Sequence, residues 1–403
     1  EKRGRTMKKI MMLGGNFFQM TAIKRAKELG YYVISVDYLP DNPGHKYSDE
    51  YHNISTIDKQ AVLKLAEQLQ IDGILSYASD VSAPTAAYVA EHMGLPTNPY
   101  SSVEILTQKE RFKQFMVDNH YRISEGKAFR DKLLAKEYFD TLSLPVMIKP
   151  TDSSGSKGVK KVTSPDEFGC AYDEAISYSL SGTVMIEKFV QKQGYQIDGD
   201  GFIKDGKIVF FGVMDQHNNI IRNPHAPIGL SFPSIQKAEH QKKARDFIQS
   251  IFDRLNMNFG AFNFEYIIDE EGEIYLLEIG PRNGGNYIPD TIQYAIGVDM
   301  IEASIKACAG DDYASALETD KNRIASSYVI HSIKTGIFKE LRIHPDVKGH
   351  VIKKELFVAP GDKVNAFCNG GDSIGAMVIS FDTVEQMNRM MDKMWEYVEV
   401  IVE

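Results

Sequence analysis

Hydrophobic and polar positions over residues 7 to about 100 switch between two periods. KKIMMLGG is an apolar run ending in a glycine turn, and Met20, Ile23, Ala26 and Leu29 then recur at the spacing of one helix face. YYVISVDY predicts a second strand ending at Asp37. Val62, Leu65, Ala66 and Leu69 mark another helix, and IDGILSYASD a further strand closed by Ser79 and Asp80. Strand–helix alternation of this kind predicts a doubly wound half-sheet, whose ligands sit beyond the carboxyl ends of the strands. Gly14, Gly15, Asn16, Asp37, Ser79 and Asp80 are expected around one crevice there. The turn reads GGNFFQ, without G-x-G-x-x-G spacing and with phenylalanines where a pyrophosphate needs small residues, which disfavours a dinucleotide. A ligand-free turn and a substrate-binding turn both fit.

The pattern then changes. VMIKP (146–150) is an apolar strand carrying Lys149, and TDSSGSKGV (151–159) is a loop of small residues. A lysine there is costly to bury without an anion, and backbone N–H groups and hydroxyls around Ser153, Ser154, Gly155, Ser156 and Gly158 suit phosphate oxygens. An ordinary loop fits the same residues. TVMIEKFV (183–190) alternates as a strand whose end presents the Glu187 carbonyl and the Val190 N–H to the edge of a purine. Glu187 and Lys188 read equally as polar strand residues.

Two further runs, GAFNFEYII (260–268) and EIYLLEIGPRNGG (273–285), are joined by the turn DEEGE. Strand alternation puts Asn263 and Glu265 on one face and Leu276, Glu278 and Gly280 on one face of the next strand, so a hairpin brings the two carboxylates side by side. Two such charges repel by about 3 kcal/mol at an effective dielectric near 20, which favours a cation between them. A solvated amphipathic hairpin is the plain alternative. From 321 onward ASSYVIHSI, GHVIKKELFV and GAMVISF read as strands, Asp382 with Glu385 as a helix-opening capping box, and Met387, Met390, Met391 and Met394 as a core-facing stripe.

Length and charge narrow the classes. A chain of 403 residues implies several domains, and a net charge of −9 without a basic stripe argues against nucleic acid. No apolar stretch reaches membrane-spanning length. Cys170, Cys308 and Cys368 are too scattered for a disulfide framework or a zinc cluster, which fits a reducing cytoplasm. Only His217 and His225 lie close enough to be weighed as a metal pair, and loop histidines explain them as well. Glu1 to Thr6, before Met7, read as a cloning remnant.

Taken in order, Lys109 in TQKERFKQF, Lys149 in IKP, the Ser/Gly loop, IEKFV followed by Gly194-Tyr195-Gln196, FNFE with Glu265, and LEIGPRNGG with Glu278 and Arg282 resemble the ATP-grasp superfamily. EIGPRNGG with GLSFPS looks more like amino-acid or dipeptide ligases than like biotin-dependent carboxylases, and one half of a carbamoyl phosphate synthase large subunit is similar in kind. The resemblance implies an α/β and α+β multidomain chain: a Rossmann-like pre-ATP-grasp domain at 7–108, a two-lobed ATP-grasp domain at 109–320 with a lid lobe at about 125–185, and a small C-terminal α+β lobe at 321–403.

It also implies a site. ATP would lie between the lobes, with Lys109 and Lys149 on its phosphates, the loop from Ser153 to Gly158 as a lid, and Glu187, Lys188 and Val190 at the adenine. Gln196 stands where an acid often holds the ribose. Glu265 and Glu278 resemble ligands of Mg²⁺, with Mn²⁺ an alternative. Gly280 replaces the family's asparagine, so water or Asn283 is expected to complete the metal's coordination. Arg282 and Lys149 are the implied catalytic residues. The implied reaction is ADP-forming ligation of small-molecule carboxylate and amine substrates through an acyl phosphate, by a chain that can form a homodimer. A carbamoyl phosphate synthase-like phosphotransferase, a kinase, or an ATP-binding protein without ligase turnover stays open beside it. The segment from Asp215 to Pro233 reads as a loop over the acceptor site, where Arg222 and His225 suit a second carboxylate; a solvated surface loop fits it equally.

Overall fold

The computed structural model describes residues 7–153, 156–219 and 223–403. Among them the strands form four sheets. The first contains β1 (Lys9–Leu13), β2 (Tyr32–Val36), β3 (Glu50–His52) and β4 (Gly73–Ser76) in the order β3-β2-β1-β4, parallel throughout, with α1 (Phe17–Glu28) and α2 (Lys59–Leu69) as crossovers and α3 (Ala83–Met93) following β4. Side chains alternate across β1. Met11 and Leu13 pack against Val62 and Ala66 of α2 and Val89 of α3, while Ile10 and Met12 pack against Ile23 and Ala26 of α1.

Helices α4 (Tyr100–Thr107) and α5 (Lys109–Asp118) lead into a second, antiparallel sheet. It has β5 (Gly126–Phe129), β6 (Val146–Pro150), β7 (Lys160–Val162) and β8 (Val184–Lys188) in the order β5-β8-β6-β7. Its apolar face, with Ile148 and Ile186, is covered by Phe139 of α6 (Lys132–Phe139) and Tyr172 of α7 (Phe168–Tyr178).

The third sheet is assembled from β9 (Gln196–Lys204), β10 (Lys207–Asn219), β11 (Asn223–Phe232), β12 (Phe259–Ile268) and β13 (Ile274–Gly280), with α8 (Ala238–Leu255) between β11 and β12. Helices α9 (Ile288–Ile296) and α10 (Met300–Cys308) follow. The remaining elements are β14 (Ile324–Ile330), β15 (Gly336–Ile343), α11 (Pro345–Lys348), β16 (Val351–Leu356), β17 (Lys363–Val364), β18 (Gly375–Phe381), α12 (Val384–Met391) and β19 (Val398–Val402).

The order β13-β12-β9-β10-β11-β14-β18-β16 carries one sheet straight across residue 321, because β11 pairs with β14. The C-terminal segment therefore extends this sheet, and adds a small one of its own, β17-β15-β19. Phe262, Phe264 and Tyr266 on one face of β12 pack against Ile248, Ile251 and Phe252 of α8, which leaves the opposite face of that strand for polar residues.

The α12 cap sits one residue later than the sequence pattern suggested. Thr383 Oγ1 accepts from the Gln386 N–H at 3.0 Å, and Gln386 Oε1 accepts from the Asp382 N–H at 3.0 Å. The pair is thus Thr383 and Gln386 rather than Asp382 and Glu385, since a hydroxyl at the N-cap reaches the third helical N–H. Met387, Met390, Met391 and Met394 are all buried in the core beneath it.

Candidate active site

β12 and β13 place Glu265 directly opposite Glu278, and β9 on the other side of β12 places Asp198 opposite Glu265. Three carboxylates on adjacent strands thus form one row, and Asp200, Asn263 and Gly280 form the next. A bulge follows the Glu265–Glu278 pair, so Tyr266 faces Leu276 and Leu277 is left over. Its effect is to turn Leu276 into the core beside Tyr266, where simple alternation had put it on the face of Glu278.

Burial, with the Asp198 and Glu278 charges beside it, pushes Glu265 well above the ordinary carboxylate range. Burial likewise lifts Asp198 to about 6, although Asn263 Nδ2 and the Gly199 N–H donate to it at 2.8 and 2.6 Å. Asp200 rises to about 7 for the same reason, against donation from the Gly284 N–H at 2.9 Å and from Asn263. Clustered hard oxygen donors of this kind fit a magnesium ion held by Glu265 and Glu278. Among the described residues no three His, Cys, Asp or Glu side chains converge into a ready-made metal cage. The ion would therefore need phosphate oxygens and water to complete its shell, as magnesium at nucleotide sites usually does.

Both expected lysines reach this region, and both are already paired. Lys109, the first residue of α5, places Nζ 3.1 Å from Glu278 Oε2 and 2.9 Å from the Ser153 carbonyl, so it ties Glu278 to the start of the Ser/Gly loop. Its pKa is raised: burial works against the charge, and Glu278 outweighs it. Lys149 Nζ meets Glu187 Oε1, whose other oxygen receives Lys113 Nζ at 2.8 Å. Burial alone would raise Glu187, yet the two ammoniums hold it down at about 2. The anion demanded by a half-buried Lys149 is thus the Glu187 side chain. Lys113 was not anticipated, and its signal was present: it lies four residues after Lys109, on the same helix face.

The other expected nucleotide contacts divide. Ser156 Oγ donates to the His225 carbonyl at 2.9 Å, fastening the loop to β11, and Gly158 is buried at the loop's base against Ala175 and Tyr178 with φ of +69°. Ser154, Gly155 and Arg222 lie outside the described residues. Val190 is half-buried in the connection from β8 to β9. Lys188 is exposed and pairs with Glu125 at 2.5 Å, a correction to its expected place at the adenine, because its position on β8 turns it to the solvent-facing side. Gln196 Nε2 donates to Glu265 Oε2 at 2.9 Å and to Gln216 at 3.2 Å, so its amide is turned to the acid row.

Arg282 is half-buried and held by an acid from the segment after β4. Its Nε donates to Asp80 Oδ1 at 2.8 Å and its Nη2 to Asp80 Oδ2. This pair explains Gly280, where a Cβ would stand 2.6 Å from Asp80 Oδ1 and 2.8 Å from Arg282 Cζ. Asn283 does not serve the acids. It is fully buried, with Oδ1 accepting from Ser304 Oγ at 2.8 Å and Nδ2 directed to the Met300 carbonyl at 3.4 Å. Its amide is committed to α10, which corrects the expectation of a metal ligand.

The crevice of the first sheet is narrower than the sequence suggested. Asn16 caps α1 through the Phe18 and Gln19 N–H groups, and Asp37 accepts from the Gly15 and Leu39 N–H groups and from Asn42. A Cβ on Gly14 would collide with the Gln19 side chain and one on Gly15 with the His45 ring. The turn is filled by its own side chains, which removes the dinucleotide reading; Asp80 alone of the crevice residues reaches the acid cluster.

His217 and His225 do not form a metal pair either. His217 is buried between Asp392 (Nδ1 to Oδ1, 2.8 Å) and Ser231 (Nε2 to Oγ, 2.7 Å). The chain Ser231–His217–Asp392 has the order of a hydrolase triad, but Ser231 is fully buried and bonded to Ser326, so it has no access to a substrate.

Residues 142–290, which hold Lys149, the loop, the acid row and Arg282, match the family model of the ATP-grasp domain. Residues 142–290 are therefore similar to an ATP-grasp domain. It is 26% identical over 306 residues to the N5-carboxyaminoimidazole ribonucleotide synthase of Bacillus subtilis, covering 74% of each chain. It is 24% identical over 293 residues to the arginine-specific carbamoyl phosphate synthase large chain of the same organism, covering 70% of this chain and 27% of that one. The L-amino acid ligase of Bacillus licheniformis shares the fold with a TM-score of 0.82 at 18% identity, over 98% of this chain and 99% of that one. The chain thus spans nearly all of some relatives and about a quarter of another. Among the described residues no helix is long and apolar enough to cross a membrane.

Proposed function

We propose that the protein is an ATP-dependent ligase that activates a substrate carboxylate as an acyl phosphate and passes the acyl group to an amine. The observation that carries this reading is the Glu265–Glu278 pair facing Lys109, with Lys109 also bound to the Ser153 carbonyl of the phosphate loop. When bound, Mg²⁺ or Mn²⁺ at Glu265 and Glu278 would supply charge neutralisation for the triphosphate.

The chain's residues supply the rest. Arrival of a triphosphate gives Lys109 and Lys149 stronger anions than the carboxylates they face, and both then hold phosphate oxygens. Ser153, whose carbonyl accepts from Lys109, and Ser156, bonded to the His225 carbonyl, border the same site. A substrate carboxylate oxygen attacks the γ-phosphorus and ADP leaves. An amine then attacks the acyl carbon, phosphate departs and the amine loses a proton. Arg282, fixed by Asp80, retains N–H groups for the acyl phosphate. Similarity to the N5-carboxyaminoimidazole ribonucleotide synthase of Bacillus subtilis and the fold shared with the L-amino acid ligase of Bacillus licheniformis support the reaction class.

The test is release of ADP from ATP with pooled carboxylates and amines, with the condensed product read by mass. Hydroxylamine replaces the amine where the acyl phosphate is to be trapped directly as a hydroxamate. Dependence of ADP release on both acid and amine is the expected result. A stable phosphorylated product without amine assigns a kinase-type transfer instead, and bound ATP that never turns over assigns a nucleotide-binding protein, a reading favoured by Gln196 occupying Glu265.

A further inference from the structure

A cavity of about 190 Å³ adjoins Lys109 and Glu278 and is walled by Ile57, Val81, Pro84 and Leu180. These apolar residues come from separate places: the segment before α2, the segment after β4, the start of α3, and the turn between α7 and β8. Ile57, Val81 and Leu180 are 60%, 42% and 76% exposed, large apolar side chains left open to solvent. Single exposed apolar residues are ordinary on any surface. Three from different segments around one concavity at a reactive centre mark a surface that something covers.

The polar part of the wall limits the occupant. Both oxygens of Asp80 accept from one edge of Arg282, through Nε and Nη2. Asp152 accepts from Ser179 Oγ at 2.8 Å and from the Leu180 and Ser181 N–H groups at 3.1 and 2.6 Å. Glu278, the third acid of the wall, faces Lys109 Nζ at 3.1 Å, so all three carboxylates already have partners and none is spare to hold an ammonium or guanidinium. The cationic group of the cavity is Lys109, next to Glu278.

We infer that this cavity is the side-chain pocket for the carboxylate substrate, and that the substrate is an acid with a compact, uncharged aliphatic group. Its carboxylate faces Lys109 and its aliphatic group lies among Ile57, Val81, Pro84 and Leu180. A charged side chain there would lose its hydration with no partner in exchange. The inference rests on the ligase reading for the identity of the bound carboxylate.

Saturation-transfer NMR on the full chain with MgADP tests it, using leucine and isovalerate as aliphatic probes and aspartate and succinate as charged ones. The expected result is transfer to the methyl groups of leucine and isovalerate and little to the charged acids. Leu180→Asp and Ile57→Asp, both at exposed positions, should each weaken aliphatic-probe binding roughly tenfold and leave ADP affinity unchanged. Absence of methyl transfer in the wild type, equal binding of the charged acids, or methyl transfer untouched by either substitution overturns the pocket. Methyl transfer with no hydroxamate in the hydroxylamine assay upholds the pocket and counts against the ligase reading alone.

Discussion

Arg282 and Asp80, 202 residues apart in sequence, meet in a two-point ion pair: the guanidinium offers Nε at 2.8 Å to one carboxylate oxygen and Nη2 to the other. The segment after β4 of the first sheet contributes Asp80 and the hairpin of the third sheet contributes Arg282, so the pair joins two sheets at the place where the acyl phosphate is proposed to form. Burial opposes the guanidinium charge, yet Asp80 outweighs it and keeps Arg282 firmly protonated.

Asp80→Asn keeps the side-chain shape and removes the charge that orients the guanidinium. Turnover is expected to fall by roughly 10- to 100-fold through misplacement of Arg282, with ADP affinity changed by less than about threefold. Steady-state kinetics and calorimetric titration with ADP, run side by side, separate the two. A parallel loss of ADP affinity would move Asp80 and Arg282 into nucleotide binding.

Glu265→Gln should abolish turnover and stabilise the fold at neutral pH. Burial and neighbouring acids raise the Glu265 pKa in the folded state, so its ionisation is a cost that grows as pH rises. An amide carries no such cost. Melting temperatures at pH 8 are expected to be higher for the variant than for the wild type and to converge near pH 4. A lower melting temperature at pH 8 would mean that the carboxylate is stabilised by contacts this structure lacks.

Asp200 offers a second reading of the same principle. Its folded-state value near 7 lies above the ordinary carboxylate value of 3.8, so the folded state binds the extra proton between those limits. The stability this contributes is complete below about 4 and is lost as pH climbs through 7. Asp200→Asn, which keeps an oxygen for the Gly284 N–H, should therefore flatten the decline of stability between pH 5 and 8. Urea unfolding across that range measures it, and identical slopes for variant and wild type would remove Asp200 as the cause.

Glu187 has the opposite sign. Lys149 and Lys113 depress it to about 2, so its contribution is present above roughly pH 4.5 and disappears as the solution is acidified through 2. Glu187→Gln leaves a buried Lys113 ammonium and a half-buried Lys149 ammonium facing one neutral amide. A loss of about 3 kcal/mol is expected, concentrated in the lobe built on β5 to β8. Hydrogen exchange should show that lobe opening first; uniform loss of protection would place the effect elsewhere.

The sequence by itself determined the strand–helix alternation of the first sheet and the placement of Glu265 and Glu278 on facing strands. Those features are written in period-two and 3.6-residue patterns and in short motifs, which act between near neighbours. The segment from Asp215 to Pro233, read there as a loop, instead has its described residues up to Phe232 in β10 and β11, because those strands pair with each other and with β9 and β14. Leu276 shows where that reach ends: a one-residue bulge reverses its face, and no local pattern announces the extra residue. Asn283 matched a ligand by spacing alone, and only the packing of α10 turned its amide away. Gly280 departed from the family pattern for a reason visible only when Asp80 arrives from another sheet to meet Arg282. Asp198, the Lys113–Glu187–Lys149 triad and the exposed apolar residues around Lys109 depend likewise on strands and loops distant in the chain. Local periodicity specifies which faces exist, and the long-range packing of those faces decides which charges meet and are stripped of water together.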